Sequence, residues 1–144
     1  MKKREKMVTE TEIDFEILRE PWSKYRLEDG TLLRVKNPVL HVVKSSEIDQ
    51  QGLPNYRIAW ASLMSTTVPK ELHGNPSETE EPESKSEIEF SIIAEDWCDY
   101  KTSDGVILKT KTHVAKITKS NKFNKDGEPN YYTDCQILTN IFKL

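Results

Sequence analysis

The chain has 144 residues, with 21 Lys and Arg against 24 Asp and Glu, a formal net charge of -3 and a mean hydropathy of -0.69. No apolar run approaches the roughly 18 residues of a membrane-spanning helix, so an integral membrane protein is not expected. The acidic balance argues against a general nucleic-acid coat. Two cysteines, Cys98 and Cys135, are too few for a disulfide framework or a cysteine-based metal site, and fit a reduced, cytoplasmic protein.

Residues 1–11 form a basic tail, with Lys2, Lys3, Arg4 and Lys6. Nothing in it has the apolar segment of a secretory signal. Beyond it the chain repeats itself. Laid over 87–144, the stretch 12–69 aligns without a gap, and 19 of the 58 positions are identical. Chance would give about three or four. The rare residues match too: Trp22 with Trp97, Tyr25 with Tyr100, Tyr56 with Tyr131, Gly30 with Gly105, Gly52 with Gly127 and Pro54 with Pro129. One small unit is therefore read as occurring twice, at 12–69 and 87–144.

Each unit opens on an alternation. Ile13, Phe15 and Ile17, like Ile88, Phe90 and Ile92, are separated by polar residues, the period of a half-buried strand. Asp29-Gly30 and Asp104-Gly105 then sit between two apolar-rich runs, a strong hairpin signal. Residues 23–28 are expected to pair with 31–36, and 98–103 with 106–111. After a break marked by Asn37-Pro38 in the first unit and Thr112-His113 in the second, a further strand runs from Val39 to Lys44 and from Val114 to Lys119. A polar loop ending in Gly-x-Pro-Asn-Tyr leads to a final apolar run. No helical period is present.

The expected fold is all-β: two tandem five-stranded units, each barrel-like or sandwich-like, packed with pseudo-two-fold symmetry. A unit this small is marginal alone, which is why the copies are expected to pack together or the protein to oligomerise. The core should hold Ile13, Phe15, Ile17, Leu33, Val39 and Tyr56 with their counterparts in the second copy. Residues 70–86 carry five Glu against two Lys, with Gly74, Pro76 and Pro82. They read as a solvated, flexible acidic linker.

The chemistry-bearing residues form no catalytic or metal-binding constellation. There is no Cys-x-x-Cys, no His-x-x-x-His and no glycine-rich phosphate loop, so no cofactor or metal is expected. The repeated acids Glu20, Glu95, Asp29 and Asp104 read as solvated strand-end charges and turn residues. Two surfaces stand out. The repeated aromatics Trp22, Tyr25, Tyr56, Trp97, Tyr100 and Tyr131 could line a groove for a protein partner, or else cover the ends of a small barrel. The lysines Lys109, Lys111, Lys116 and Lys119 lie on a stretch free of acids and could track a phosphate backbone, or else blunt a strand edge.

Two resemblances bear on this. The Gly-x-Pro-Asn-Tyr ending is similar to the close of the Src-homology proline-binding barrels, but that family's Ala-Leu-Tyr-Asp-Tyr start and Trp-Trp pair are absent, and no residue roles carry over. The broader pattern Phe-x-Ile-x-x-Glu-x-Trp-x-x-Tyr-x-x-x-Asp-Gly-x-x-Leu-x-x-Lys resembles a small prokaryotic, archaeal-type all-β protein, here in tandem. That resemblance implies an all-β domain in a prokaryotic cytosol. The expected role is a non-enzymatic module that binds a protein partner or itself, with an RNA- or DNA-associated barrel as the alternative.

Overall fold

The computed structural model describes residues 7–76 and 81–143. The protein is all-β: 65% of the described residues are in strands, arranged as three antiparallel sheets, and among the described residues there is no α-helix. In chain order the strands are β1 (Glu10–Ile13), β2 (Phe15–Arg19), β3 (Ser23–Leu27), β4 (Leu32–Lys36), β5 (Val39–Ile48), β6 (Pro54–Trp60), β7 (Leu63–Thr67), β8 (Lys85–Glu87), β9 (Phe90–Ala94), β10 (Cys98–Thr102), β11 (Val106–Phe123) and β12 (Pro129–Lys143). The sheets run β1-β5-β6, β12-β11-β10-β2 with β8 also on β11, and β7-β4-β3-β9.

The two expected hairpins form, β3 with β4 and β10 with β11. Their turns place Gly30 at φ 90° and Gly105 at φ 85°, where a side chain would be strained. Asp29 Oδ1 accepts the amide of Thr31 at 2.9 Å and closes the first turn.

The opening alternation does not make one strand. It breaks at Asp14, whose Oδ1 accepts the amide of Phe15 at 2.9 Å. β1 pairs with β5 of its own half, whereas β2 pairs with β10 of the other half. The second half does the same: β8 pairs with β11 and β9 crosses to β3. The registers correspond in the two halves, with Glu10 opposite Ser45 and Lys85 opposite Ser120. Tyr100 lies opposite Ile17, and Tyr25 opposite Ile92.

The halves differ in the continuity of their strands. β11 and β12 are continuous strands of 18 and 15 residues. Their counterparts are divided into β4 and β5, and into β6 and β7. Pro38 supplies the physical reason, since it has no N–H to give a ladder. Its counterpart His113 pairs with Gln136 in a ladder that continues beyond it, with irregularities only after Val114 and Lys119. Asn37 occupies the break, where its Nδ2 donates to Ala61 O at 3.2 Å and to Ser62 Oγ at 2.8 Å.

Two hydrophobic clusters result, and each draws on both halves. One contains Tyr25, Leu27, Leu33, Val35 and Val68 together with Val114, Ile117 and Tyr131. The other joins Val39 and Val42 to Cys98, Tyr100 and Leu108. Each large side chain so buried contributes roughly 1.5–3 kcal/mol. Of the expected core, Leu33, Val39, Leu108, Val114 and Tyr131 are buried, while Ile13, Phe15, Tyr56, Ile88 and Phe90 pack half-buried on the clusters. Ile17 and Ile92 are a correction: both are 54% exposed. They lie on β2 and β9, each the outermost strand of its sheet, so neither is covered from the far side.

Described parts of the segment 70–86 make contacts with the strands. Lys70–Leu72 form a 3-10 turn, Leu72 packs on the first cluster, and Ser120 Oγ donates to Glu83 at 2.7 Å. Residues 77–80 of that segment, residues 1–6 of the basic tail and residue 144 lie outside the described residues.

Candidate functional site

The repeated aromatics sort into two kinds. Tyr25 and Tyr100 are fully buried and Tyr131 nearly so, so these three present no face to a partner, contrary to the sequence reading. The cause is the exchange of β2 and β9. It lays Phe15 edge-on against Tyr100 with ring centroids 5.8 Å apart, and Phe90 edge-on against Tyr25 at 5.6 Å.

Each buried hydroxyl is matched to a carboxylate from the opposite half. Tyr100 Oη donates to Glu20 at 2.7 Å, and Tyr25 Oη to Glu95 at 3.1 Å. Tyr131 Oη donates to Asp29 and Tyr56 Oη to Asp104, both at 2.6 Å. Glu20 and Glu95 are therefore not solvated charges; their side chains are 13% and 8% exposed. Burial, reinforced by the neighbouring carboxylate, raises all four phenols above their usual value. Burial pushes the Asp29 carboxyl up, but hydrogen bonds from Tyr131, Lys119 and Thr31 outweigh it and bring it down to about 2. Asp104 is lowered in the same way, with Thr102, Tyr56 and Lys44 overcoming the burial.

Trp22 and Trp97 are half-buried, and each carries a lysine above its ring: Lys36 at 5.4 Å and Lys111 at 5.8 Å from the centroid. Beside them the halves diverge. Lys36 Nζ pairs with Glu20 at 2.9 Å, whereas Glu95 is met by His113 Nδ1 at 3.0 Å. Tyr56 is half-buried with its hydroxyl committed to Asp104. Of the six aromatics, the two tryptophans and Tyr56 keep accessible surface.

The lysines are also largely engaged. Lys119 Nζ bridges to Asp29 at 2.9 Å. Lys109 Nζ stands 3.4 Å from Asp99 Oδ1, a buried oxygen with no hydrogen bond from a described residue. Lys111 lies over Trp97, and the exposed Lys116 is opposite Asp134 in the ladder. A stretch free of acids in sequence is thus lined with acids in space. Among the described residues, no three His, Cys, Asp or Glu side chains converge as a metal site would require.

The residues that sequence reasoning missed lie on the sheet edges. β2 and β9 have no strand on their outer side among the described residues, and Ile17, Leu18, Ile92 and Ile93 are each at least half exposed. Open hollows of about 290 Å³ and 600 Å³ lie where these strands begin, beside Phe15 and Phe90. Adjacent exposed apolar residues on one strand project from both faces. The run Phe-x-Ile-Leu or Phe-x-Ile-Ile, apolar at neighbouring positions as well as alternating ones, was the available signal.

No protein-family model matches the chain, and no curated protein or solved structure matches it at a significant level.

Proposed function

We propose that the chain is a non-enzymatic protein-binding or assembly module, built from a duplicated small β-unit whose two copies exchange their opening strands. The recurrence of registers and of Tyr-carboxylate pairs at equivalent positions of the two halves supports the duplication. The observation that carries the binding reading is the pair of open edges. Among the described residues β2 and β9 have no strand on their outer side, so each turns a row of backbone donors and acceptors outward, flanked by Ile17 and Leu18 or by Ile92 and Ile93. Such an edge is a template for another strand, from a partner or from a second copy, and natural proteins blunt their edges where no pairing is intended. The two edges occupy equivalent positions, so one molecule can engage twice and gain avidity. Trp22 and Trp97 stand as additional contact residues at the strand ends. The nucleic-acid alternative draws less support, because Lys109, Lys111 and Lys119 already have partners.

Sedimentation across a concentration series, with pull-down of candidate partners, tests this. Ile17→Lys with Ile92→Lys is expected to abolish association while leaving the melting temperature within a few degrees. Association that survives the double change would remove the edges from the interface and the proposal with it.

A further inference from the structure

The sheets that end in β9 and β2 differ in the charge of their outward faces. On β3, Ser23, Tyr25 and Leu27 are buried, so Lys24 and Arg26 point away from the cluster and are exposed. On β4, Arg34 points the same way from between buried Leu33 and Val35. In the β3-β4 register Lys24 lies directly opposite Arg34. Like charges so placed destabilise a sheet. Among the described residues none of the three has an ion pair. Arg26 Nη1 donates to Gly30 O and Arg34 Nη1 to Thr67 Oγ1, each at 3.3 Å and each an uncharged acceptor. Glu28, next after β3, pairs with none of them, and Lys36 is taken by Glu20 at 2.9 Å.

The second half has opposite charges at the same positions. Asp99 stands where the first half has Lys24, and it lies opposite Lys109, the counterpart of Arg34. Their side chains approach to 3.4 Å. β2 then adds a second set of compensations, with Arg19 opposite Asp99 and Glu16 opposite Lys101. On β9 the counterparts of Arg19 and Glu16 are Ala94 and Ser91, and these lie opposite Lys24 and Arg26. Two short, uncharged side chains thus separate the cations of β3 from the open edge of β9. A strand added to that edge would lie about 10 Å from β3, two inter-strand spacings. An extended lysine or arginine leaning over Ala94 or Ser91 meets a carboxylate there.

From this unrelieved set of cations beside an open edge, we infer that β9 takes an acidic strand of a partner protein, with Asp or Glu at alternate positions. Residues i and i+2 of a strand share a face, so two such acids stand beside Lys24 and Arg26. The apolar residue between them covers Ile92, which lies opposite the inward-facing Tyr25 and is 54% exposed. The β2 edge, whose cations already oppose acids, has no such preference. The residues on either side of 77–80 are held at the β11-β12 tip, where Gly74 N donates to Gly127 O and Lys122 Nζ to Glu81 O. Residues 1–6 precede β1, in the sheet of β5 and β6. The inference rests on the edge-binding reading and gives one of the two edges a partner chemistry.

Three nine-residue peptides titrated into the full chain test it: glutamate alternating with valine, and the same peptide with glutamine or with lysine in place of glutamate. The glutamate peptide is expected to move the backbone NMR signals of Ile92 and Ile93 and not those of Ile17 and Leu18. It should bind about five- to tenfold tighter than the glutamine peptide, the range of two exposed ion pairs. That margin should shrink to less than about twofold at about 0.5 M salt, and the lysine peptide should bind weakest. Lys24→Asp, which installs the pairing of the second half opposite Arg34, is expected to leave the strand signal in circular dichroism unchanged and to erase the preference for glutamate. Equal binding of the three peptides at Ile92 and Ile93, a glutamate preference located at Ile17 and Leu18, or one that survives Lys24→Asp combined with Arg26→Gln would overturn the inference and leave the edge reading standing. Silence at all four isoleucine and leucine positions with every peptide would overturn both.

Discussion

Thr112 Oγ1 donates to Asn37 Oδ1 at 2.9 Å in a buried contact, and the two residues stand at equivalent positions of the two halves. Asn37 also ties Ala61 and Ser62, so one amide joins the break in the first half to the unbroken ribbon of the second.

Replacing Asn37 by Ala therefore orphans three groups at once. The expected cost is about 2–4 kcal/mol, since each buried polar group left unmet costs roughly 1–3 kcal/mol and some will find water. Thr112→Val, which removes one hydroxyl, should cost about 1 kcal/mol. Denaturant unfolding of both single changes and the double change should give a coupling of about 1 kcal/mol; strict additivity would show that the contact carries no energy.

Because each cluster draws on both halves, the halves should not fold apart. Residues 1–76 and 77–144 produced separately are expected to lack the far-ultraviolet signature of strands, and to regain it on mixing. Within the full chain Phe15→Ala or Phe90→Ala should cost about 2–4 kcal/mol, the range for truncating a half-buried aromatic that also loses an edge-on ring contact. Calorimetry should show one transition in both variants, not one half melting ahead of the other.

Asp29 predicts acid sensitivity. Its carboxyl ionises near 3.8 in an unfolded chain and at about 2 in the folded one. Between those values the folded state holds fewer protons, so the contribution is complete above pH 4 and is lost as pH falls towards 2. It amounts to about 2 kcal/mol. Asp104 acts in the same direction. In Asp29→Asn, stability measured by urea unfolding should be lower at neutral pH and should fall less steeply over that window.

The tyrosines predict the opposite limb. Tyr25, Tyr56, Tyr100 and Tyr131 have raised phenols, so an unfolded chain would release these protons near pH 10 while the folded one retains them. Stability is complete below pH 10 and declines above it. Phenolate absorbance should stay low past pH 10, then rise in a single step that coincides with loss of the strand signal in circular dichroism. A gradual rise at pH 10 in the folded protein would mean that the hydroxyls are solvated.

The two Asp-Gly hairpins were legible because a local rule governs them: a glycine at positive φ and an aspartate closing on its own backbone. A break was expected in both units, at Asn37-Pro38 and at Thr112-His113; only the first forms, because Pro38 has no N–H for a ladder whereas Thr112 and His113 both do, and β11 runs on through them. The exchange of β2 and β9 was not legible. The alternation of Ile13, Phe15 and Ile17 is satisfied equally by one strand or by two separated at Asp14, and the choice of β10 over β3 is made by packing between distant residues. The burial of Tyr25 and Tyr100 followed from that choice and was hidden with it. A trace of it did exist in the sequence, since the residues that repeat include both the tyrosines and the acids Glu20, Glu95, Asp29 and Asp104 that receive their hydroxyls.

β11 runs through both hydrophobic clusters, with Leu108 in one and Val114 and Ile117 in the other. At about 3.3 Å per residue its 18 residues trace a path of at most about 60 Å, bent at the irregularities after Val114 and Lys119, and they serve both clusters. Its counterpart is jointed at Pro38. Opening of one cluster is therefore expected to reach the other through β11 and to be absorbed at the joint between β4 and β5. Amide hydrogens along β11 should exchange at one slow rate governed by global opening, whereas those of β4 and β5 should divide into two populations.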